Sequence, residues 1–505
     1  MMKHGVITVY LSLTLAVMLS LILVSMESVR VTVIRTASSR YADLAAEMLF
    51  SGYTRPAAEQ YGLFVLDAGK DKSRLSVFDT FLGLNMKENR VFSMSGEPGE
   101  SRVCETITLR DRQWKPMLDQ IERCQLYKLG EEGLAGAGSF LREMGTGGAQ
   151  EASDAFAQSL ESRGADAEDR QKAQDEGEEK EDKKDQEKAP PMPDPRPGIT
   201  SLLKRGLLEA VMEGRSVSDK AVSTGDCSYQ VRADGIGRQV WNFMDYRKAS
   251  QAVRDQEQLE LPGGLLWAGS RELLLCSYVL DHFRTFSAEG EEGKGEHVLD
   301  YEAEYIICGG STDRANLEAV TARLFALRTM CNLAYLYTSP ARGGMLEEAV
   351  GMMALSSIPV VGSLLKLLLM LCWACAESLV DCTALTRGKK VPMMKSDSSW
   401  NLSLEQLVSL ALGETGPGDL VKDGSSGLDY KQYLFLLLLL QNREKKLIRM
   451  TQIMEKNIRL TKGYEDFSFA NCITGASFTG EVSVRERFFR HPGQVICTYM
   501  TAYQY

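Results

Sequence analysis

From Val6 to Met26 (VITVYLSLTLAVMLSLILVSM) no charge interrupts the apolar run, and the first acid is Glu27. About 20 helical residues rising 1.5 Å each cover the roughly 30 Å hydrocarbon layer of a bilayer, so the run predicts a membrane-spanning helix behind the short head Met1 to Gly5. The competing reading is a cleaved secretory signal, which has a shorter apolar core of about 7–15 residues and a small-residue cleavage site. Neither feature is present. Past the span the helical spacing continues through Val29, Val33, Ala37 and Leu44, with Arg30, Arg35 and Arg40 on the wetter side. Gly52 and Pro56 place its end near Phe50.

Tyr61 to Leu66 then reads as a short buried strand and Val103 to Leu109 as a second. From Asp111 the pattern is helical, closing a first lobe near Arg142. Residues 145–198 carry mixed charge and then Pro190, Pro191, Pro193, Pro195 and Pro197. So few large apolar side chains cannot offset the entropy of ordering, which predicts a disordered or partly helical tether ending in a stiff polyproline spacer. Helices are expected at Ser201 to Met212 and around Arg271 to Phe286, with loop signals at Pro262-Gly263-Gly264 between them. Asp300 to Cys308 alternates, with Tyr301, Ala303, Tyr305 and Ile307 facing one way and Asp300, Glu302 and Glu304 the other, and is predicted as a half-buried strand. Gly309-Gly310 turns the chain, and Ser311 to Asp313 caps a helix carrying Leu317, Val320, Leu324, Leu327, Cys331 and Ala334 that should lie on that strand and stop before Pro340. One long helix is expected over Tyr430 to Leu460, and a small terminal sheet over Phe467 to Thr474, Phe478 to Phe488 and Val495 to Tyr499.

The fold class is therefore α+β: an N-terminal transmembrane helix continuing into a stalk, and a mostly helical body with small antiparallel sheets. The divisions are 1–29 for head and anchor, 30–144 for stalk and small α+β lobe, 145–198 for the linker and 199–505 for the main domain with its C-terminal strands. A second span is conceivable over Ala349 to Ala376, but Pro359, Gly362 and Lys366 interrupt it, and a charge near the bilayer centre costs about 2.5–3.5 kcal/mol. A helical hairpin, buried or partly exposed, is the favoured reading there.

At 505 residues and 44% hydrophobic composition the chain can bury at least one large core, and a net charge of -10 argues against a nucleic-acid partner. Eleven cysteines lack the short repeated spacings of a disulfide framework and mostly sit in apolar patterns. Cys372-Trp-Ala-Cys375 lies deep in an apolar helical run, where neither a lowered thiol pKa nor a second zinc-ligand pair is supplied. His4, His282, His297 and His491 lack metallopeptidase spacing, no nucleophile elbow is present, and Gly293-Lys-Gly-Glu is not a phosphate loop. No catalytic residue, metal or cofactor is therefore expected. Glu377 and Asp381, four apart on one helix face, are the carboxylate pair worth naming; acid–base chemistry is weighed against structural pairing with Arg387, Lys389 or Lys390.

The opening Gly5-Val-Ile-Thr-Val-Tyr10-Leu with its apolar helix resembles the amino terminus of TadE-like pseudopilins of tight-adherence (Tad, Flp-type) pilus systems. Tyr61-Gly-Leu-Phe-Val-Leu-Asp67, Tyr301-Glu-Ala-Glu-Tyr-Ile-Ile307, Asn316-Leu-Glu-Ala-Val320, Ala376-Glu-Ser-Leu-Val-Asp381, and Gly388-Lys-Lys-Val-Pro392 leading to Lys395 and Trp400 resemble an uncharacterised family of clostridial-type envelope proteins encoded among such pilus genes. The pseudopilin resemblance implies prepilin-type processing after Gly5, with Val6 as the first mature residue. Tyr10 stands at the fifth mature position, where that family carries a glutamate that registers the helix in the assembly.

The arginine count beyond the span leaves orientation open. The resemblance implies a cytoplasmic amino terminus, a body outside the cell, and membrane lipid and other pilus-assembly or pilin-like proteins as partners. Two functions follow as expectations: a non-enzymatic envelope protein for assembly, scaffolding or surface attachment, or a membrane-anchored enzyme or ligand-binding sensor whose site includes Glu377 and Asp381.

Overall fold

The computed structural model describes residues 2–69, 72–88, 96–132, 193–231, 267–287, 296–352, 359–422, 427–485 and 493–505. It is α+β, mostly helical with small antiparallel sheets. Contacts divide the chain into two units: Met1–Cys124 with Cys227–Tyr229 and Met454–Tyr505, and Gln125–Asp226 with Gln230–Ile453. The C-terminal strands, expected within the domain 199–505, group instead with the N-terminal segment. Most of the expected linker, residues 145–192, lies outside the described residues, as do Pro262-Gly263-Gly264 and His491.

One helix organises the first unit. α1 (Met2–Phe50) runs unbroken, because its apolar residues keep helical spacing across the point where the uncharged run ends. Its most apolar stretch is 0% buried, and the helix is long and apolar enough to cross a membrane. Burial begins at Glu27, after which Ile34, Ser38, Ala42, Ala45, Ala46 and Leu49 form an inward face; the alanines allow close approach to the sheet.

That sheet is centred on β5 (Gly475–Arg485). β6 (Gln494–Gln504) pairs antiparallel along its whole length, from Gly475↔Gln504 to Arg485↔Gln494. On the opposite side β5 pairs antiparallel with β2 (Gly96–Pro98) and β3 (Arg102–Ile107). A separate two-stranded sheet joins β1 (Leu66–Asp67) to β4 (Cys472–Ile473). Phe78, on α3 (Val77–Glu88), stacks on Phe478 with centroids 4.2 Å apart, and Phe50 stacks on Tyr503 at 4.8 Å.

α1 runs beside β6 in the same direction. Arg30 donates to the Arg485 carbonyl at 3.1 Å, Thr501 Oγ1 donates to Asp43 Oδ1 at 2.6 Å, and the Tyr505 hydroxyl donates to the Phe50 carbonyl. The strand expected at Tyr61–Leu66 is shorter: Tyr61 ends α2 (Arg55–Tyr61), Gly62 caps it at φ 63°, and only Leu66 and Asp67 pair. Of the expected Phe467–Thr474 strand only Cys472–Ile473 pairs, whereas β3, β5 and β6 fall where alternation placed strands and the helix expected from Asp111 is α4 (Asp111–Glu132).

The second unit is helical, with α5 (Arg196–Arg205), α6 (Leu207–Met212) and α7 (Trp267–His282) ahead of the segment where the prediction fails. Asp300 to Cys308 is not a strand: Glu302–Cys308 is a helix, α8. The alternation misled because two of its polar positions, Glu302 and Glu304, do not face water. Glu302, Ala303, Glu304, Tyr305, Ile306 and Ile307 are all buried, so the polar–apolar pattern carries no facing information. The acids are tolerated because backbone donates to them: Arg284 N–H to Glu302 Oε2 at 3.0 Å and Phe286 N–H to Glu304 Oε1 at 2.9 Å. Gly309 ends α8 at φ 76°, where an added Cβ would lie 2.6 Å from Arg449 Nε.

Glu304 makes a checkable pH dependence. Burial lifts its pKa to about 7, although the Tyr430 hydroxyl donates to Oε1 at 2.9 Å. Its other oxygen has no hydrogen-bond partner among the described residues, which the neutral acid tolerates better than the anion. Between 4.5, its ordinary value, and about 7, the unfolded chain ionises first. Stability should therefore fall as pH rises through that window, by at most about 1.4 kcal/mol per pH unit, and then level off. Glu304→Gln is expected to flatten this slope, checked by urea midpoints at about pH 5 and about pH 8.

α9 (Asp313–Thr338) is capped by Thr312, which accepts from Ala315 N–H, and ends before Pro340 as predicted, but it packs on helix α8 and not on a strand. α10 (Pro340–Met352) and α11 (Pro359–Thr386) occupy the stretch weighed as a second span. The apolar window of α11 is 61% buried, and Leu369, Trp373, Ala376 and Val380 belong to the core of this unit. After α12 (Leu404–Leu412), the single helix expected over Tyr430 to Leu460 is two, α13 (Tyr430–Leu440) and α14 (Arg443–Arg459), parted at Gln441. Lys446 Nζ reaches back 2.9 Å to the Leu438 carbonyl, which also accepts from Gln441 N–H at 3.1 Å.

Candidate functional site

Glu377 and Asp381 do share a face of α11, both with 0% exposure. The cations that meet them are not the ones nearest in sequence. Arg387 turns instead to Glu213 and to the Gly418 carbonyl at 3.0 Å. The cations that meet the carboxylates come from α9 and from the loop after α11. Lys395 Nζ lies 2.7 Å from Glu377 Oε1 and 2.7 Å from Asp381 Oδ1, while Arg328 donates to Asp381 Oδ2 through Nε at 3.1 Å and Nη2 at 2.9 Å.

The remaining valences are filled one by one. Glu377 also accepts from the Asn401 and Leu402 N–H groups, each at 2.9 Å, and from Asn401 Nδ2 at 3.0 Å. Asn332 Nδ2 donates to Asp381 Oδ2 at 3.0 Å and to Ser378 Oγ at 3.0 Å. Arg328 Nη1 spans to the carbonyls of Pro392 (3.0 Å) and Met393 (2.8 Å) and to the Tyr433 hydroxyl at 3.1 Å. Two cations thus face two anions. Burial opposes ionisation of Asp381, but Arg328 and Lys395 outweigh it and hold its carboxyl below the ordinary range, whereas at Glu377 burial prevails and pushes the pKa up.

Aromatic rings pack beside the network. Trp373 and Trp400 meet edge to face at 5.5 Å and both donate to the Leu402 carbonyl, at 3.2 and 2.7 Å. The Arg342 guanidinium sits 5.3 Å from each ring. The carboxylates accordingly present no unoccupied face to a substrate, and the oxygens a metal would use are already taken by Lys395, Arg328 and backbone N–H groups. The arrangement joins α9 and α11 to the 388–402 loop and to Tyr433 of α13.

The other residues singled out from sequence lie apart from it. Gly5, Val6 and Tyr10 lie within α1, with Tyr10 67% exposed. Cys372 and Cys375 are on α11, and burial pushes both thiols up, Cys372 to about 12, so neither is a nucleophile at neutral pH. His282 stacks on Tyr278 at 4.2 Å and burial depresses its pKa; His297 Nδ1 lies 2.8 Å from Glu302. Arg328 and Asn332 complete the network without a motif in the sequence to mark them. Their one legible signal is that Arg328 falls within the apolar spacing of α9, beside Leu327 and Cys331, where a solvated cation does not belong.

The fold and this network define an α+β protein with a bare apolar N-terminal helix and a helical unit closed around a neutral charge cluster. The chain belongs to the family of unknown function DUF5702, whose model matches residues 181–484, more than half of its length. Every residue of the network falls within that match. No curated protein and no solved structure matches the chain.

Proposed function

We propose that this protein is a single-pass membrane protein, with its amino terminus in the cytoplasm and its body outside the cell, that serves a tight-adherence pilus system in assembly, scaffolding or surface attachment without carrying out a reaction of its own. The observation that carries this reading is the division of α1 into an apolar half whose most apolar stretch is 0% buried and a second half, from Glu27, that packs on the sheet. A 0%-buried apolar rod is costly in water and favourable in lipid. The resemblance at Gly5 to Tyr10 points the same way, and membrane lipid and other pilin-like or pilus-assembly proteins are the partners it implies.

The arginines beyond the span weigh less against this orientation than their number implies. Arg30 is tied 2.6 Å from Glu27 and to the Arg485 carbonyl, so it belongs to the packing of the body behind the span. The competing enzyme or sensor reading needs carboxylates that a ligand can reach, and Glu377 and Asp381 are closed off.

Fractionation of cells making the full chain tests the proposal. The protein should stay in the membrane pellet after an alkaline wash, and an impermeant maleimide should label the exposed Cys104 in intact cells. Recovery in the soluble fraction defeats the anchor, and labelling only after lysis defeats the orientation. The mass of the purified chain reads processing after Gly5 directly.

A further inference from the structure

Among the described residues the sheet of the first unit ends in a strand, β6, that carries none of the blunting residues usual at an edge, while α1 packs against the face that bears its buried odd-numbered side chains. β6 is eleven residues long (QVICTYMTAYQ), with no charge, proline or glycine, and among the described residues it pairs only with β5. Long flat edges are normally blunted by charge, proline or bulges because their free N–H and C=O groups recruit another strand. Alternation assigns the free groups. Tyr505 N–H donates to the Thr474 carbonyl, so the odd-numbered residues of β6 point their amides at β5 and the even-numbered ones point away. Those even positions are the exposed ones, with Ile496 at 59% and Met500 at 71%.

We infer that this edge takes up a strand from a second copy of the chain, specifically β3 on the far edge of the neighbour's sheet, joining copies side by side in one membrane. The choice of occupant follows from direction and rests on the membrane-anchor reading. Pairing β6 antiparallel with its own copy needs a two-fold axis across the strand. Because α1 runs beside β6 in the same direction, that axis would aim the two apolar rods oppositely, and they could not enter one bilayer together. β3 and β6 are both antiparallel to β5 and hence parallel to each other. Copies related by lateral displacement therefore bring β6 of one beside β3 of the next with every α1 pointing the same way. Such a contact is heterologous and does not close, so it extends into a row. β3 carries exposed Arg102, Val103 and Glu105, with a bulge at Cys104; uncharged β6 brings no like charge against them.

The test uses Cys104, the one cysteine classed as exposed. Cysteine is introduced singly at Ile496, Thr498, Met500 and Ala502 in the full chain, and native membranes are treated with a mild oxidant. At least one variant should yield a ladder of crosslinked dimers and larger species, and Cys104→Ser should abolish it. Adding Met500→Pro to the crosslinking variant at Thr498 removes an outward N–H that has no partner among the described residues, so it should spare the fold, checked by circular dichroism, and lose the ladder. Membrane-bound protein that stays monomeric with all four cysteines overturns the row while leaving the anchor intact. Dimers that persist in Cys104→Ser overturn it in favour of β6 pairing with itself. Soluble protein refutes the anchor and the row with it.

Discussion

Arg328→Met is expected to destabilise the helical unit by about 3–5 kcal/mol, the cost of leaving a buried charge without its counter-ion. Arg328 is fully buried and holds Asp381, the Pro392 and Met393 carbonyls, the Tyr433 hydroxyl and Asn332 at once. Methionine fills much of its volume and supplies no donor. The network would then carry two carboxylates against Lys395 alone, with two carbonyls opened. The pair Arg328→Met with Asp381→Leu restores neutrality, because Glu377 and Lys395 remain matched at 2.7 Å, and should regain a large part of the loss. Urea unfolding of the detergent-solubilised full chain reads both. A single-variant loss below about 1 kcal/mol, or a double variant no better than the single one, would mean that these groups do not act as a unit.

The second large effect concerns α1. Placing lysine at both Leu15 and Leu19 sets two charges near the middle of the apolar run, at about 2.5–3.5 kcal/mol each on insertion scales. Because this stretch is 0% buried within the protein, the sheet and its core should be untouched. The expected result is movement of the chain out of the alkaline-washed membrane pellet, with unchanged near-ultraviolet circular dichroism of the purified protein. Retention in the pellet would mean that something other than this helix holds the protein to the membrane.

Legibility in the sequence followed the range of the interactions. The apolar rod, α9 with its Thr312 cap and the strands β3, β5 and β6 each announce themselves through periodicity or capping within a few turns or a single strand length. The Asp300–Cys308 prediction failed because periodicity encodes facing only when one side meets water, and Glu302 to Ile307 are all buried, with backbone donors 18 residues away holding both glutamates. The site was half legible. Glu377 and Asp381 were found as an i, i+4 pair, but their counter-ions come from Lys395 and from Arg328, 53 residues from Asp381, and not from the nearest basic residues.

Local spacing and charge were thus sufficient for the N-terminal rod, the α+β class and the carboxylate pair, since hydrophobic facing and helix pitch act over neighbouring residues. The grouping of the C-terminal strands with the N-terminal helix, the closure of the carboxylates by Arg328 and Lys395, and the open edge of β6 belong to long-range pairing. Strand partners and buried counter-ions are chosen by which segments the whole chain brings together, and no window along the chain carries that information.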